Sequence, residues 1–350
     1  AQLVDAGVHR IYGIVGDSLN PIVDAVRKTG GSKKGGIDWI HVRHEEAAAF
    51  AASAEAQLTG KLAVCAGSCG PGNLHLINGL YDANRTGAPV LAIASHIPSV
   101  QIGSTYFQET HPDRIFEECS VYNELISSAA QSPRTVNSAI RHAVGLVGVS
   151  VITLPGDVSD LKAVEHVPTY APARPATLAP NPADIDEAAA LLNKADKVAI
   201  FAGAGVEGAH DEVIALADAL KAPIGHSLRG KHFIQYDNPF DVGMTGLLGY
   251  GAAAEGMNDA DVLILLGTDF PYDQFLPDTP TIQVDTHAEK LGRRTDVGLA
   301  IHAQVKPFIE ALLPHLRAGR SDSFLKSKIK KHSEIMHAPV GAYTRNVEKM

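Results

Sequence analysis

Short apolar runs alternate with segments of helical periodicity through the first half of the chain. The apolar runs have the length of β-strands and lie at residues 10–15, 38–42, 62–66, 89–94 and 149–154. Segments with helical spacing lie between them, at residues 21–27, 45–58, 73–84 and 134–146. Because strands that alternate with helices form parallel sheets covered on both faces, we predict a doubly wound α/β domain over residues 1–163.

A proline-rich segment at residues 164–182 interrupts this pattern and predicts a semi-rigid linker, since closely spaced prolines disfavour both helix and sheet. The alternation then resumes and predicts a second doubly wound α/β domain, with a mainly parallel sheet, over residues 183–318. Its strands are expected at residues 197–201, 223–227, 262–266 and 281–285, and its helices at residues 183–193, 209–220 and 305–316. Residues 319–350 are polar and rich in lysine, which predicts a solvated linker.

Composition narrows the class of protein. With 350 residues, 45% of them hydrophobic, the chain can bury two or three substantial cores. Its net charge of -9 argues against a protein that binds nucleic acid or anionic membranes. The spacing of Cys65, Cys69 and Cys119 fits neither a disulfide framework nor a zinc site, so we expect reduced thiols in a cytoplasmic protein. No apolar run approaches the ~18 residues that span a bilayer, and no signal peptide is visible.

The second domain contains a glycine motif of the G-x-G-x-x-G type at residues 203–208, between a predicted strand and a predicted helix. Such glycines permit a tight turn and let a diphosphate approach a helix N-terminus. An ordinary NAD site also needs an acidic residue about 20 positions further on, but Arg229 follows the next strand instead. Two interpretations stay open: a site for another dinucleotide, or glycines that serve packing alone.

Other loops of the second domain follow directly on its predicted strands. They lie at residues 245–249 and 267–272, and Asp285 ends a strand itself. In open α/β sheets, ligands bind beyond the carboxyl ends of the strands. Together these loops predict a dinucleotide groove, although each alone also fits an ordinary turn.

In the first domain, Glu45 and Glu46 open an alanine-rich helix. A carboxylate in a first helical turn commonly does no more than complement the helix dipole. The glycine-rich turn at residues 67–73, however, would let a flat ligand approach the backbone. Because consecutive helical residues point about 100° apart, only one of the two glutamates could face such a ligand.

Several segments resemble thiamine-diphosphate-dependent enzymes. They are RHEE at residues 43–46, GPGN at 70–73, NG at 78–79 and FQE at 107–109. Longer stretches at residues 65–80, 106–112, 228–231 and 236–247 resemble, within that family, the pyruvate dehydrogenase (quinone) and pyruvate oxidase group. The resemblance covers nearly the whole chain up to residue 316 and implies a pyrimidine-binding domain followed by a central FAD-binding domain.

By this resemblance, Glu45 is the catalytic glutamate that hydrogen-bonds the N1′ atom of the cofactor's aminopyrimidine, a role that calls for a shielded site. The residues that the resemblance places near the thiamine diphosphate or its substrate are Asp17, Gly70, Gly72, Asn73, Phe107 and Gln108. For three of them a structural explanation is equally open. Phe107 could fill the core, and Gln108 and Asp17 could be solvated loop residues.

The resemblance also assigns FAD to the second domain. The residues that would contact it are Gly203, Gly205, Arg229, Thr245, Gly246, Leu247, Leu248, Thr268, Asp269, Phe270, Pro271, Tyr272 and Asp285. The implied reaction is oxidative decarboxylation of pyruvate to acetate and CO₂, with electrons passing through FAD to a quinone. The implied enzyme is a homo-oligomer, a dimer or tetramer. It would be cytoplasmic, with peripheral contact to the inner face of the cell membrane through a segment beyond this chain.

One family motif is absent. The diphosphate of thiamine diphosphate is held through Mg²⁺ by a Gly-Asp-Gly motif in the family, and this chain contains none, so we assign no metal ligand. Both ends read as interrupted, and we expect the motif to follow residue 350 and the chain alone to be inactive. Two alternatives remain: a carboligase like acetolactate synthase, or a non-catalytic module that binds FAD or another nucleotide.

Overall fold

The computed structural model describes residues 1–162, 164, 170–171 and 176–347, with side chains described up to His337. The chain divides into two compact units, Ala1–Arg174 and Pro175–Met350. Much of the proline-rich segment at residues 164–182 lies outside the described residues, so the limits predicted for the linker stay a prediction.

The first unit alternates strands and helices as the apolar pattern predicts. Its strands are β1 (Arg10–Gly13), β2 (Asp38–His41), β3 (Ala63–Gly67), β4 (Val90–His96), β5 (Tyr122–Leu125) and β6 (Val149–Pro155). Its helices are α1 (Gln2–Asp5), α2 (Asn20–Lys28), α3 (Glu45–Thr59), α4 (Pro71–Thr86), α5 (Pro112–Ile115), α6 (Ser132–Gly145) and α7 (Gly156–Ser159). The sequence did not predict β5, because this edge strand is polar and only half buried.

The six strands form a parallel sheet in the order β2-β1-β3-β4-β6-β5. The chain proceeds from β1 to one side and from β3 to the other. The order therefore reverses between these two neighbouring strands, and a crevice is expected beyond their carboxyl ends.

Side chains of β3 alternate between two cores, one on each face of the sheet. Val64 and Ala66 join one cluster, and Ala63 and Cys65 join the other, which contains the buried alanines of α3. Helices α3 and α4 approach closely because both present small residues. A Cβ atom placed on Gly79 of α4 would lie 2.4 Å from the Cβ of Ala49 in α3.

The second unit repeats the architecture. Its strands are β7 (Val198–Ala202), β8 (Ile224–His226), β9 (Asp241–Met244), β10 (Tyr250–Gly251), β11 (Val262–Leu266), β12 (Thr281–Asp285) and β13 (Leu299–His302). Its helices are α8 (Pro182–Lys194), α9 (His210–Leu220), α10 (Lys231–Ile234), α11 (Ala253–Asn258), α12 (Val305–Leu312) and α13 (Ser323–Val347).

This sheet has the order β10-β9-β8-β7-β11-β12-β13, with only the short β10 antiparallel to its neighbour. The order reverses between β7 and β11, which defines a second crevice. The predicted fold class, two doubly wound α/β domains with mainly parallel sheets, is confirmed. The short strands β9, β10 and β13 escaped prediction, since none of them is a continuous apolar run.

The solvated linker predicted at residues 319–350 is wrong where the structure describes it, because residues from Ser323 onward form α13. Leu325 and Lys328 are buried on this helix, and Ile329 packs against the core beside them. Their helical spacing makes one face apolar despite the many lysines. Among the helices in the described part of the chain, none is long and apolar enough to cross a membrane.

Lys328 is a charged residue on this otherwise apolar face, and it can be buried there because two carboxylates neutralise its charge. Its ammonium group lies 2.8 Å from Oε1 of Glu255, on α11, and 2.5 Å from Oδ2 of Asp259, the residue that follows α11. Burial lowers the pKa of Lys328, but hydrogen bonds with the two carboxylates outweigh that effect and leave it raised. The two carboxylates therefore compensate the positive charge of Lys328, which would otherwise remain exposed to water.

Lys328→Ala should lower the free energy of unfolding by about 1–2 kcal/mol, because it removes a buried cation from between two half-exposed carboxylates. Lys326→Ala is the matched control, since Lys326 pairs with Asp322 at the surface, and this substitution should cost less than about 0.5 kcal/mol. Urea denaturation measures both, and equal losses would contradict a specific role for Lys328.

Candidate functional site

The first candidate site lies where the loops after β1 and β3 meet, at the reversal point of the first sheet. A Cβ atom placed on Gly16 would lie 2.5 Å from Ser68 Oγ, so glycine is required for the contact. The hydroxyl groups of Ser18 and Ser68 are 3.0 Å apart. The two loops thus form one continuous surface beyond the strand ends.

A chain of hydrogen bonds holds these two loops in place. The Cys69 N–H donates to Ser18 Oγ (3.0 Å), and Ser95 Oγ donates to the Ser18 carbonyl (2.6 Å). Asn73 Nδ2 in turn donates to the Ser95 carbonyl (2.6 Å). Asn73 is fully buried. It therefore supports the turn from inside, and its assignment to the vicinity of the cofactor stays a prediction.

Glu45 is the first residue of α3, and its side chain is buried against this turn. A Cβ atom placed on Gly72 would lie 3.2 Å from Glu45 Oε1, so the missing side chain leaves that oxygen beside bare backbone. The other oxygen, Oε2, lies 3.0 Å from Nδ1 of His75 on α4. The position at the helix N-terminus also favours the negative charge.

Glu46 points elsewhere, as the helical geometry of neighbouring residues predicts. Its carboxylate is half-exposed and accepts a hydrogen bond from Asn78 Nδ2 (2.6 Å). The sequence predicts no role for His75 or Asn78, although both fall in a segment that carries the family resemblance. Both residues lie on the side of α4 that faces α3, where Glu45 and Glu46 begin the helix. This position is the signal that could have identified them.

The loop before α5 brings Gln108 to the glycine turn. A Cβ atom placed on Gly70 would lie 2.8 Å from the Cβ of Gln108, and Cys69 Sγ donates to Gln108 Oε1 at 3.4 Å. Phe107 is 80% exposed, so the interpretation of this residue as core filler is wrong. Asp17 is exposed at the start of the turn that contains Ser18.

The second candidate site lies at the reversal point of the second sheet, where two glycine loops cross. A Cβ atom on Gly203 would lie 2.4 Å from the Gly267 carbonyl oxygen, and one on Gly205 would lie 2.6 Å from Gly267 Cα. The Gly205 N–H donates to the same carbonyl (2.9 Å). These glycines therefore have a packing role. Helix α9 begins only at His210, so the glycine turn does not lead straight into a helix N-terminus.

All the loops assigned to FAD lie at this edge of the sheet, because each follows the carboxyl end of a parallel strand. Thr245, Thr268 and Asp285 are buried, whereas Leu247 and Leu248 are 67% and 69% exposed. Arg229 and Pro271 are exposed at the same edge. FAD binding by this edge stays a prediction.

Two of the residues assigned to FAD, Phe270 and Asp269, make side-chain contacts within the protein. Phe270 is buried and packs edge-on against Phe201 and Tyr272, with ring centroids 5.1 and 5.5 Å apart. A Cβ atom on Gly246 would lie 3.2 Å from the Phe270 ring, which ties the loop after β9 to the loop after β11. The carboxylate of Asp269 pairs with Arg293 and with Arg294. The sequence had not assigned these two arginines a role.

Within the described ranges, no group of three or more His, Cys, Asp or Glu side chains is arranged to hold a metal ion. Both sites instead consist of glycine turns, buried hydroxyl or carboxylate groups, and exposed apolar side chains.

Two family models match the chain, one in each unit. The N-terminal TPP-binding domain of thiamine pyrophosphate enzymes matches residues 1–115, and their central domain matches residues 185–312. The chain belongs to the thiamine pyrophosphate enzyme family.

Relatives agree with this assignment. An uncharacterized 42.6 kDa protein from the isoamylase 3′ region of Pseudomonas amyloderamosa is 55% identical, over 91% of this chain and 80% of its own length. The protein YdaP of Bacillus subtilis is 41% identical, over 83% of this chain and 50% of its own. Pyruvate oxidase of Lactiplantibacillus plantarum is 32% identical, over 92% and 54%. Acetolactate synthase large subunits, such as isozyme 1 of Escherichia coli, match at 30%. The chain spans about half the length of the last three.

Ser95→Ala should lower the free energy of unfolding by about 1–3 kcal/mol, because the buried Ser18 carbonyl loses its donor. The matched control is Ser104→Ala, which removes an exposed hydroxyl from the Gln101 carbonyl and should cost less than about 0.5 kcal/mol, since water replaces the bond. Chemical denaturation followed by circular dichroism compares them. A Ser95→Ala variant as stable as the control would contradict the buried network.

Proposed function

We propose that the chain supplies the pyrimidine-binding site and an FAD-binding domain of an enzyme that decarboxylates pyruvate oxidatively. The products are acetate and CO₂, and the electrons pass through FAD to a quinone. The observation that carries the proposal is the buried Glu45 at the start of α3, with one oxygen beside the bare backbone of Gly72.

The residues present fit the pyrimidine end of thiamine diphosphate. A flat aminopyrimidine needs a surface without side chains and a carboxyl group at its edge. A Cβ atom on Gly72 would fill that space, as the 3.2 Å approach to Glu45 Oε1 indicates. When bound, thiamine diphosphate supplies the carbon nucleophile and the electron sink that the loss of CO₂ requires.

Glu45 holds and exchanges a proton with N1′ of the pyrimidine through Oε1 in this proposal. His75 keeps the other oxygen, Oε2, in place at 3.0 Å, so the carboxyl group cannot turn away from the glycine turn. The ring of His75 is itself stacked on His44, with centroids 4.2 Å apart. The side chain that moves the proton is thus oriented before any ligand binds.

The edge of the second sheet supports FAD as the second cofactor. The exposed Leu247 and Leu248 offer apolar surface to a flat ring system, and the buried Thr245 and Thr268 follow the ends of β9 and β11. Arg229, after β8, stands where NAD enzymes place an acidic residue for the ribose. FAD supplies the two-electron acceptor that an oxidative reaction needs.

A carboligase is the second candidate, because acetolactate synthases match the chain nearly as well as pyruvate oxidase does. Both reactions begin with decarboxylation of pyruvate at the same kind of pyrimidine site. They differ in the fate of the two-carbon unit. In the oxidative reaction it gives two electrons to FAD and is released with water as acetate. In the carboligase reaction it is joined to a second 2-oxo acid. We also propose a homo-oligomer, a dimer or tetramer.

Glu45→Gln should reduce turnover of pyruvate by the holoenzyme by roughly 10²–10⁴-fold, because an amide cannot exchange a proton with N1′. The matched control is Glu46→Gln, which makes the same change one residue away on a half-exposed side chain and should leave turnover near wild type. Flavin absorbance should be the same in both variants. Equal activities of the two variants would remove the role proposed for Glu45.

Titration of the chain with FAD and with NAD, followed by calorimetry, should show the tighter binding for FAD, because Arg229 replaces the acid that NAD requires. With pyruvate as substrate, the holoenzyme should then reduce a soluble quinone and form no acetolactate. A preference for NAD would contradict the assignment of the second unit. Acetolactate formation without quinone reduction would favour the carboligase.

A further inference from the structure

The loop of residues 103–109 is built around one carboxylate, that of Glu109. Its Oε1 accepts a hydrogen bond from the Gly103 N–H (2.5 Å), and its Oε2 accepts one from the Tyr106 N–H (3.0 Å). The Glu109 N–H donates to the Tyr106 carbonyl (2.9 Å) and closes the turn. Hydrogen bonds from the backbone of Gly103, Tyr106 and Thr105 hold the pKa of Glu109 below its ordinary value, so the side chain is ionised at neutral pH.

The loop depends on these hydrogen bonds to Glu109 because its backbone is strained. Thr105 and Gln108 have φ values of 62° and 65°, in the left-handed region that disfavours residues with a side chain. Conformations of this kind persist only where surrounding contacts determine them. Both oxygens of Glu109 bind N–H groups of the same short segment, and this supplies the determining contact.

Gln108 is the residue that the loop places at the candidate site. Its Cβ lies where a side chain on Gly70 would be, and its Oε1 accepts from Cys69 Sγ at 3.4 Å. Gly70 caps α4, and Gly72 follows beside Glu45. The neighbouring Phe107 projects into solvent at the same rim. The loop thus forms the wall of the site next to the glycine turn.

We propose that Glu109 is a positioning residue, which holds Gln108 against the Cys69–Gly70 turn and so sets how a small 2-oxo acid fits beside Glu45. The part that concerns the substrate rests on the function proposed above. The part that concerns the loop rests on the contacts of Glu109 and Gln108 alone.

Cys69 provides a readout of the loop that does not depend on activity. It is partly exposed under Gln108, whereas Cys65 and Cys119 are buried. Burial raises the pKa of the Cys65 thiol to about 12 and that of Cys119 to about 11, so both should react slowly. Alkylation of the native protein, with the modified residue identified by mass spectrometry, therefore reports on Cys69.

Glu109→Gln removes the charge and one of the two acceptors, and should accelerate alkylation of Cys69 on the order of tenfold. Glu117→Gln is the matched control, because it makes the same change on an exposed side chain outside the loop, and its rate should equal that of wild type. A wild-type rate in Glu109→Gln overturns the proposal. If that variant unfolds and all three thiols react, Glu109→Asp decides, since its shorter side chain cannot reach both N–H groups: selective acceleration supports the proposal and a wild-type rate overturns it.

The kinetic test uses the holoenzyme. Glu109→Gln should raise KM for pyruvate several-fold, with a smaller change in kcat and unchanged affinity for thiamine diphosphate, which a general loss of stability would not produce. Faster alkylation with a wild-type KM overturns the part that concerns the substrate. If the wild-type holoenzyme does not consume pyruvate, the proposed function fails, and the alkylation rates still decide whether Glu109 holds the loop.

Discussion

The close approach of two glycine loops at the reversal point of each sheet is the constraint on which both sites depend. In the first unit, a Cβ atom on Gly16, after β1, would lie 2.5 Å from Oγ of Ser68, after β3. In the second unit, Gly203 and Gly205 cross Gly267 at similar distances. Any side chain at these positions would force the loops apart, and the surface beyond the strand ends would open.

The same geometry explains why the two units can carry different sites on one architecture. The carboxyl ends of several parallel strands lie at one edge of the sheet, and the loops that follow them determine which chemical groups that edge exposes. In the first unit the edge presents a carboxylate beside bare backbone. In the second unit it presents exposed leucines, buried threonines and an exposed arginine. Membership in the thiamine pyrophosphate enzyme family accounts for both units appearing in one chain.

Sequence reasoning predicted the buried strands well, because a strand covered on both faces must be a continuous apolar run. It missed β5 and β13, whose partial exposure leaves no such run, and β9, in which Asp241 and Gly243 interrupt the apolar residues. It also mistook the lysine-rich α13 for a linker, because the two acids that neutralise Lys328 are about 70 residues away in the chain, at Glu255 and Asp259. Contacts that are distant in sequence leave no local pattern. For the same reason the sequence could list Gln108 but could not show that its strained backbone depends on Glu109.

The contact between Gly79 and Ala49 has a consequence for how the first site could be altered. Each of these residues lies one helical turn beyond a site residue on the same helix face, Ala49 after Glu45 and Gly79 after His75. The separation of the carboxylate from the imidazole is therefore set by a glycine that lies one helical turn away from both groups. Transplanting this pair of side chains into another scaffold would require the closely packed helices as well, and a search of other proteins for similar sites should look for the small residues one turn away.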